Sequence, residues 1–128
     1  MSDNINASGL IFNGWVDANH ELVILKNKLN FEKIKNECIN KESTSTIGNK
    51  GYGLDFYIAA HILKYKYKLS DEELAEAINE RPVYQYFCGF PSFDTRLRLN
   101  SSIFFKFRNR FGVDNFENIL RKSIINGS

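Results

Sequence analysis

The stretch LDFYIAAHILKYKYKLSDEELAEAINERPVYQYFCG, residues 54–89, decides the fold of this protein. Its first part, Leu54–Tyr67, is apolar nearly all round until Lys64, which is typical of a helix buried at the centre of a bundle. At 14 residues this helix is too short to span a bilayer, which takes about 20 residues. The stretch therefore predicts a helical protein assembled around this segment.

A second helix is predicted to begin at Ser70, because Ser70 and Glu73 form the S-x-x-E pattern of a capping box. In that arrangement the Ser70 hydroxyl accepts a hydrogen bond from the Glu73 N–H, and the Glu73 carboxylate accepts one from the Ser70 N–H. The two acids that follow Ser70 favour the same start, since they lie at the positive end of the helix dipole. Pro82 then stops this helix or opens a short third one, which Gly89 ends.

Helical spacing of apolar residues continues on both sides of this stretch. It predicts further helices at about Ala18–Leu29 with Asp17 or Asn19 as the cap, at Phe31–Ile39, at about Asn100–Phe111, and from Asp114 onward. Lys41–Gly53 is rich in Ser, Thr and Gly and is predicted to be a loop. Strand-type alternation is nearly absent. We therefore predict an all-α fold, a compact bundle of about six or seven helices with a helix-turn-helix-like unit in its second half. Residues 15–126 are predicted to form one domain after a flexible N-terminus, residues 1–14.

Composition and net charge are those of an ordinary globular domain. The 128 residues are 43% apolar and 25% charged, with a formal net charge of +2. The polar N-terminus lacks the pattern of a secretory signal, and no apolar run is long enough for a membrane span. We therefore expect a cytoplasmic protein with no membrane partner, in which Cys38 and Cys88 are reduced.

A basic segment stands out against this nearly neutral background. Residues 95–113 contain five cations and no acid, so this segment carries +5 while the whole chain carries only +2. The cations are Arg96, Arg98, Lys106, Arg108 and Arg110. A run of charge is ordinarily a solvated face, but the absence of an acid within the run favours an anionic partner. Phosphate is the first candidate, because Arg and Lys bind phosphate oxygens and release condensed counterions.

The helix predicted in this segment separates core residues from exposed ones. At about 100° per residue, one sector holds a core stripe of Ile103, Phe104, Phe107 and Phe111. Lys106 and Arg110 line one flank of that stripe and Arg108 lies on the other. Asn109 and Phe105 point away from the core, and the Asn109 amide is able to hydrogen-bond an adenine edge.

Three segments occur in this order along the chain: Leu69-Ser70-Asp71-Glu72, Tyr86-Phe87-Cys88-Gly89-Phe90 and Phe107-Arg108-Asn109-Arg110. Together they resemble the N-terminal domain of bacterial insertion-sequence transposases of the DDE class. That domain typically has a leucine–serine–acidic helix start, an aromatic-x-x-Gly segment and a hydroxyl-capped helix ending in Phe-Arg-x-Arg. The resemblance covers roughly Gly14–Arg121, and the apolar helix before the capping box fits it as well.

The resemblance implies that the chain binds double-stranded DNA at the terminal inverted repeats of a mobile element and helps to hold transposase subunits together. In that family a following RNase-H-like domain cuts the DNA. The 128 residues contain no such segment, so we expect DNA binding without catalysis. The residues expected to bind DNA are Arg96, Arg98, Lys106, Arg108, Asn109, Arg110 and Lys50.

A standalone interaction module is the alternative function. Such a module would pair with a second copy, pair with and inhibit a transposase, or bind another mobile-element or host protein, with Phe105, Phe90 and Phe93 as its contacts. The resemblance supports this alternative where Ile103 and Phe105 replace the threonine and the small hydroxyl residue usual in the family. Three interpretations of Phe105 stay open: cover by a neighbouring helix or loop, a subunit contact, and contact with nucleic acid.

No pattern for an enzyme, a metal site or a cofactor emerges from the sequence. The spacing of His20, His61, Cys38 and Cys88 matches no zinc motif. GNKGYG, residues 48–53, lacks the spacing and the preceding strand of a phosphate loop. We therefore expect no catalytic residues, no metal, no cofactor and no small-molecule substrate, and we predict that His61 is a hydrogen-bonded core histidine.

Overall fold

Helices account for most of the chain. The computed structural model describes residues 9–41, 52–111 and 116–122. In chain order, the elements are β1 (Leu10–Ile11), β2 (Val16–Asp17), α1 (Glu21–Lys28), α2 (Phe31–Lys41), α3 (Leu54–Tyr67), α4 (Asp71–Glu80), α5 (Pro82–Phe87) and α6 (Ser102–Phe111). Residues 116–122 are also helical. The predicted all-α bundle of six or seven helices is thus confirmed. Most of the predicted loop Lys41–Gly53, with Lys50, lies outside the described residues.

The central position of α3 follows from its composition. Every residue from Phe56 to Leu63 is buried, so α3 has core contacts on all sides. It packs against α2, α4 and α5. The main core also includes Leu74 and Ile78 of α4 and Phe104 of α6, each with no exposed surface. The bounds of α3 and its buried position are those predicted from the sequence.

The capping box at Ser70 is confirmed in both directions. The Glu73 N–H donates to the Ser70 hydroxyl at 3.0 Å, and the Ser70 N–H donates to the Glu73 carboxylate at 2.8 Å. α4 therefore begins at Asp71, as predicted. α5 begins with Pro82 at its first position, and Gly89 follows it at a φ of 91°, which a glycine adopts without strain.

Replacing Ser70 by Ala should lower the free energy of unfolding by about 1 kcal/mol, because the Glu73 N–H at the start of α4 loses the hydroxyl that accepts its hydrogen bond. Urea unfolding measures this loss. Ser92→Ala provides the matched control, since Ser92 is an exposed serine outside the helices. Equal stabilities for the two variants would show that the capping box does not contribute to folding.

A small hairpin is the main departure from the predicted fold. Leu10 pairs with Asp17 and Ile11 pairs with Val16 in an antiparallel arrangement. Ile11 and Val16 are buried in a second, smaller core, where the Phe12 ring lies edge-on to Tyr86 with centroids 5.5 Å apart. The structure thus places residues 9–14, which the sequence analysis assigned to a flexible N-terminus, in this hairpin, whereas residues 1–8 lie outside the described part. Strands of two residues are too short for alternation to reveal them.

The first helix begins later than predicted. α1 starts at Glu21, and its cap is His20, whose Nδ1 accepts a hydrogen bond from the Leu22 N–H at 3.0 Å. Asp17 and Asn19, the predicted caps, instead form the turn before it, where the Asp17 carboxylate accepts from the Asn19 N–H at 2.8 Å. The Ala18 N–H donates to the Gly9 carbonyl, which extends the hairpin into the predicted first turn of α1.

Candidate nucleic-acid interface

Gln85 fixes the non-helical connector between α5 and α6, residues 88–101. Its side chain is fully buried. Its Nε2 donates to the carbonyls of Ile78 and Asp94, each at 3.0 Å, and its Oε1 accepts from the Asp94 N–H at 2.8 Å. One amide side chain therefore ties the connector to the end of α4. Gln85 was not among the residues predicted to form the site, although a glutamine among the aromatic residues of α5 is a signal for a buried polar contact.

Asn79 holds the connector at a second point. Its Oδ1 accepts a hydrogen bond from the Leu99 N–H at 2.8 Å. Between the two tied positions, the Asp94 carboxylate accepts from the Arg96 N–H at 2.9 Å, which closes a local turn. These hydrogen bonds therefore hold the backbone of the connector in place between Asp94 and Leu99.

Arg96 and Arg98 lie on this tied part of the connector. Both side chains are exposed. Arg98 donates from Nη1 to the Leu97 carbonyl at 2.8 Å, which directs its guanidinium along the connector. Within residues 9–41, 52–111 and 116–122, neither arginine forms an ion pair. Their charge is therefore available to an anionic partner.

α6 presents a buried stripe and an exposed basic surface. Phe104 and Phe107 are buried, and the Phe107 ring stacks on Tyr57 with centroids 4.4 Å apart. Ile103 is partly buried against the same core. This agrees with the predicted core stripe, whose fourth member, the Phe111 side chain, lies outside the described residues.

Apart from Phe105, the exposed residues of α6 are polar or positively charged. Lys106, Asn109 and Arg110 are all exposed. Lys106 forms no ion pair with any residue that the structure describes. We call these three exposed residues, together with the exposed Arg96 and Arg98 of the connector, the basic surface.

Arg108 forms an ion pair within the protein and is therefore not available for the DNA contact predicted for it. Its guanidinium donates to both carboxylate oxygens of Asp71, from Nη1 at 2.9 Å and from Nη2 at 2.7 Å. Only 14% of the Arg108 side chain and 20% of the Asp71 side chain are exposed. No acid lies within the basic segment itself, but Asp71 of α4 neutralises Arg108 of α6.

His61 joins this ion pair to the core. Its Nδ1–H donates to the Tyr57 carbonyl at 2.8 Å, and its Nε2 accepts from Arg108 Nη1 at 3.1 Å. Lys64 adds a second cation 3.3 Å from the Asp71 carboxylate. Hydrogen bonding to Arg108 lowers the pKa of Asp71, and burial lowers the pKa of His61 to about 4. His61 is therefore the predicted hydrogen-bonded core histidine, and it is neutral at pH 7.

Acidification should weaken the fold through His61. The unfolded chain takes up a proton at His61 below about pH 6.5, whereas the folded chain resists protonation until about pH 4. The contribution of His61 to stability is therefore complete above about pH 6.5 and falls by about 2 kcal/mol at pH 5. The measurement is urea unfolding of the parent and a His61→Gln variant between pH 7 and pH 5. Their difference in stability should shrink toward pH 5, and a constant difference would contradict this account.

The three residues predicted as partner contacts differ in how far they are exposed to solvent. Phe105 is 56% exposed, so no described helix or loop covers it. Phe90 and Phe93 are half-buried and pack against the core clusters. The interpretation of Phe105 as a residue covered by its own domain is therefore wrong for the described structure, whereas the contacts with a subunit or with nucleic acid stay open.

Cysteines and metal ligands give no sign of reactive chemistry in the described chain. Cys38 and Cys88 are buried free thiols, and burial raises the pKa of each to about 12, so both are protonated at neutral pH. Among residues 9–41, 52–111 and 116–122, no three His, Cys, Asp or Glu side chains are grouped to hold a metal ion. In that same part of the chain, no helix has the length and apolarity to cross a membrane.

Part of this chain is similar in sequence to a curated protein. The "Uncharacterized protein ORF8 in nfe locus" of Rhizobium meliloti is 32% identical over 78 residues, which is 61% of this chain and 38% of the relative. The chain thus spans little more than a third of the length of that relative. No solved structure matches the chain.

The profile of a protein family matches most of the chain. The family is described as a transposase domain (DUF772), and the match runs over residues 11–110. This range includes the hairpin, the central helix α3, the capping box of α4, the tied connector and nearly all of α6. The chain therefore belongs to the transposase domain family DUF772.

Proposed function

We propose that this domain binds double-stranded DNA at the ends of a mobile element through Arg96, Arg98, Lys106, Asn109 and Arg110. The observation that carries the proposal is the tied connector, where buried Gln85 and half-buried Asn79 hold an exposed basic segment in place. Amide side chains that fix a loop rather than a helix or strand suggest that the position of that loop matters. The family name, a transposase domain, supports DNA as the anion that the basic surface meets.

The cations in this proposal have separate roles. Arg96 and Arg98 on the connector and Lys106 on α6 would contact phosphates, which fixes the register of the domain on the duplex. Arg110 lies four residues after Lys106 on the same flank of α6 and would add a fourth phosphate contact. Arg108 is left out because Asp71 already occupies its guanidinium. Lys50 remains a predicted backbone contact outside the described residues.

Asn109 is the residue best suited to read a base. It is exposed on α6 between Arg108 and Arg110. An asparagine amide both donates and accepts, which matches the N6 and N7 positions of adenine in the major groove. The helix-turn-helix-like unit proposed for residues 69–112 would bring α6 toward that groove, since α4 packs against both α5 and α6.

Fluorescence anisotropy with labelled duplexes tests the proposal. One duplex carries the terminal sequence that flanks the coding region of this chain, and the other has a random sequence of equal length. We expect binding to both at low salt and a preference for the terminal sequence that an Asn109→Ala variant reduces by about 1–3 kcal/mol. If neither duplex binds at low salt, the proposed function is wrong.

Phe105 favours a second candidate function, the pairing of this domain with another copy or with a transposase. A phenylalanine with 56% of its surface exposed is an unusual residue on a basic helix face. Light scattering gives the mass in solution, and a Phe105→Asp variant should return a dimer to the monomer. A monomer at all concentrations, with unchanged capture of the transposase by the variant, would exclude this candidate.

A further inference from the structure

Trp15 of the hairpin and Phe93 of the connector form an aromatic pair. Trp15 is 54% exposed, and its ring lies 4.8 Å from that of Phe93, measured between centroids. Phe93 is half-buried and packs against the small core of the hairpin. Trp15 thus contacts Phe93 at an angle of 59° between the ring planes, and a large part of its surface is open to solvent.

The turn of the hairpin holds Trp15 in this position. Phe12 and Asn13 each have a φ of 57°, and Gly14 has a φ of 90°, so three successive residues adopt left-handed backbone conformations. Such a conformation is costly for Phe12, and the burial of its ring against Tyr86 offsets that cost. The Trp15 N–H donates to the Phe12 carbonyl at 3.1 Å, which closes the turn. The tryptophan is therefore fixed in an outward position.

The aromatic pair is also joined to the basic surface. Phe93 directly precedes Asp94, whose backbone makes two hydrogen bonds with the buried Gln85 side chain. Arg96 and Arg98 follow on the same tied segment and are exposed. Arg96 is three positions after Phe93 in the sequence, so their Cα atoms are at most about 10 Å apart. A nucleotide and its neighbouring phosphates can span that distance.

We propose that Trp15, supported by Phe93, stacks on an unpaired nucleobase of a DNA strand whose phosphates are bound by Arg96 and Arg98. The inference rests on the proposed DNA-binding function and adds a substrate class to it, namely DNA with a single-stranded extension. The positive charge beside the aromatic pair selects an anionic occupant, and a flat aromatic surface beside cations is how proteins bind single strands. Bases inside a duplex are covered by their neighbours on both sides, whereas an unpaired base in an extension can turn its face to Trp15.

The single tryptophan of the chain gives this proposal its own signal. Two duplexes of about 20 base pairs are compared, one blunt and one with a short thymidine overhang. Anisotropy of a label at the far end measures binding. Emission excited at the long-wavelength edge of the tryptophan band, where the six tyrosines absorb little, reports on Trp15. The overhang should quench that emission and tighten binding by about 5- to 100-fold. Trp15→Ala should abolish the preference for the overhang, Trp15→Phe should retain much of it, and binding to the blunt duplex should stay within about twofold.

Ile24→Ala is the matched control, since Ile24 is another large apolar residue, 45% exposed, on α1. It should change neither the overhang preference nor the quenching. Equal binding of both duplexes without quenching would overturn the role of Trp15 and leave the proposed function standing. No binding of either duplex at low salt would overturn both. Emission that depends on protein concentration in the absence of DNA would assign Trp15 to a contact between copies of the chain, and would overturn the inference.

Discussion

An Asp71→Ala variant should lose about 3 kcal/mol of its free energy of unfolding. The substitution leaves the Arg108 guanidinium against His61 without its carboxylate, in a place where only 14% of the Arg108 side chain is exposed. It also removes the partner of Lys64, whose Nζ lies 3.3 Å from the Asp71 carboxylate. The expected loss lies at the lower end of the range for buried ion pairs, because Asp71 keeps some contact with solvent.

Urea unfolding at pH 7 measures this loss, and Glu117→Ala is the matched control. Glu117 pairs with Arg121 at 3.3 Å on an exposed helical surface, so its removal should cost less than about 0.5 kcal/mol. A double Asp71→Ala, Arg108→Met variant should recover part of the stability, because no unpaired guanidinium then remains. If Asp71→Ala and Glu117→Ala are equally stable, the pair between α4 and α6 does not hold the fold together.

Removing four cations of the basic surface should nearly abolish DNA binding. The variant Arg96→Ala, Arg98→Ala, Lys106→Ala, Arg110→Ala loses the four phosphate contacts of the proposed function, and with them the release of about four counterions. Near 0.1 M salt, this corresponds to a loss of affinity of roughly a thousandfold. Because the side chains are exposed, the fold should change little, which circular dichroism and urea unfolding check.

Lysines elsewhere on the surface provide the control for this second prediction. Lys28 of α1 and Lys33 of α2 are exposed and lie outside the connector and α6. A Lys28→Ala, Lys33→Ala variant should lose less than about tenfold in affinity near 0.1 M salt, since general attraction falls off beyond the Debye length of about 10 Å. If the two variants lose similar affinity for each charge removed, DNA binding depends only on the net charge of the protein, and the connector and α6 have no special role.

Local sequence signals predicted the helices well. The capping box at Ser70 and Glu73 needs only residues within one turn, and the all-round apolar character of α3 needs only its own composition. The helical spacing of Phe104 and Phe107 likewise predicted that both lie in the core, because it depends only on the sequence of α6. Each of these features is written within a few consecutive residues.

Contacts between residues that lie far apart in the sequence could not be predicted from local sequence patterns. The helical wheel of α6 assigns Arg108 to a flank, but only the packing of α4 against α6 shows that Asp71, 37 residues away in sequence, neutralises it. Gln85 is tied to Asp94, and Asn79 to Leu99, by hydrogen bonds between a side chain and a remote backbone. The hairpin that positions Trp15 has strands of only two residues, which carry no periodicity.

The salt dependence of DNA binding tests the central claim most directly. A plot of log K against log salt should have a slope of about −3 to −4 for the parent protein, which corresponds to four phosphate contacts. An Arg98→Ala, Lys106→Ala variant should reduce the magnitude of that slope by about 2, whereas Lys28→Ala, Lys33→Ala should leave it nearly unchanged. Binding without salt dependence, or equal slopes for all three proteins, would contradict the assignment of the basic surface to DNA.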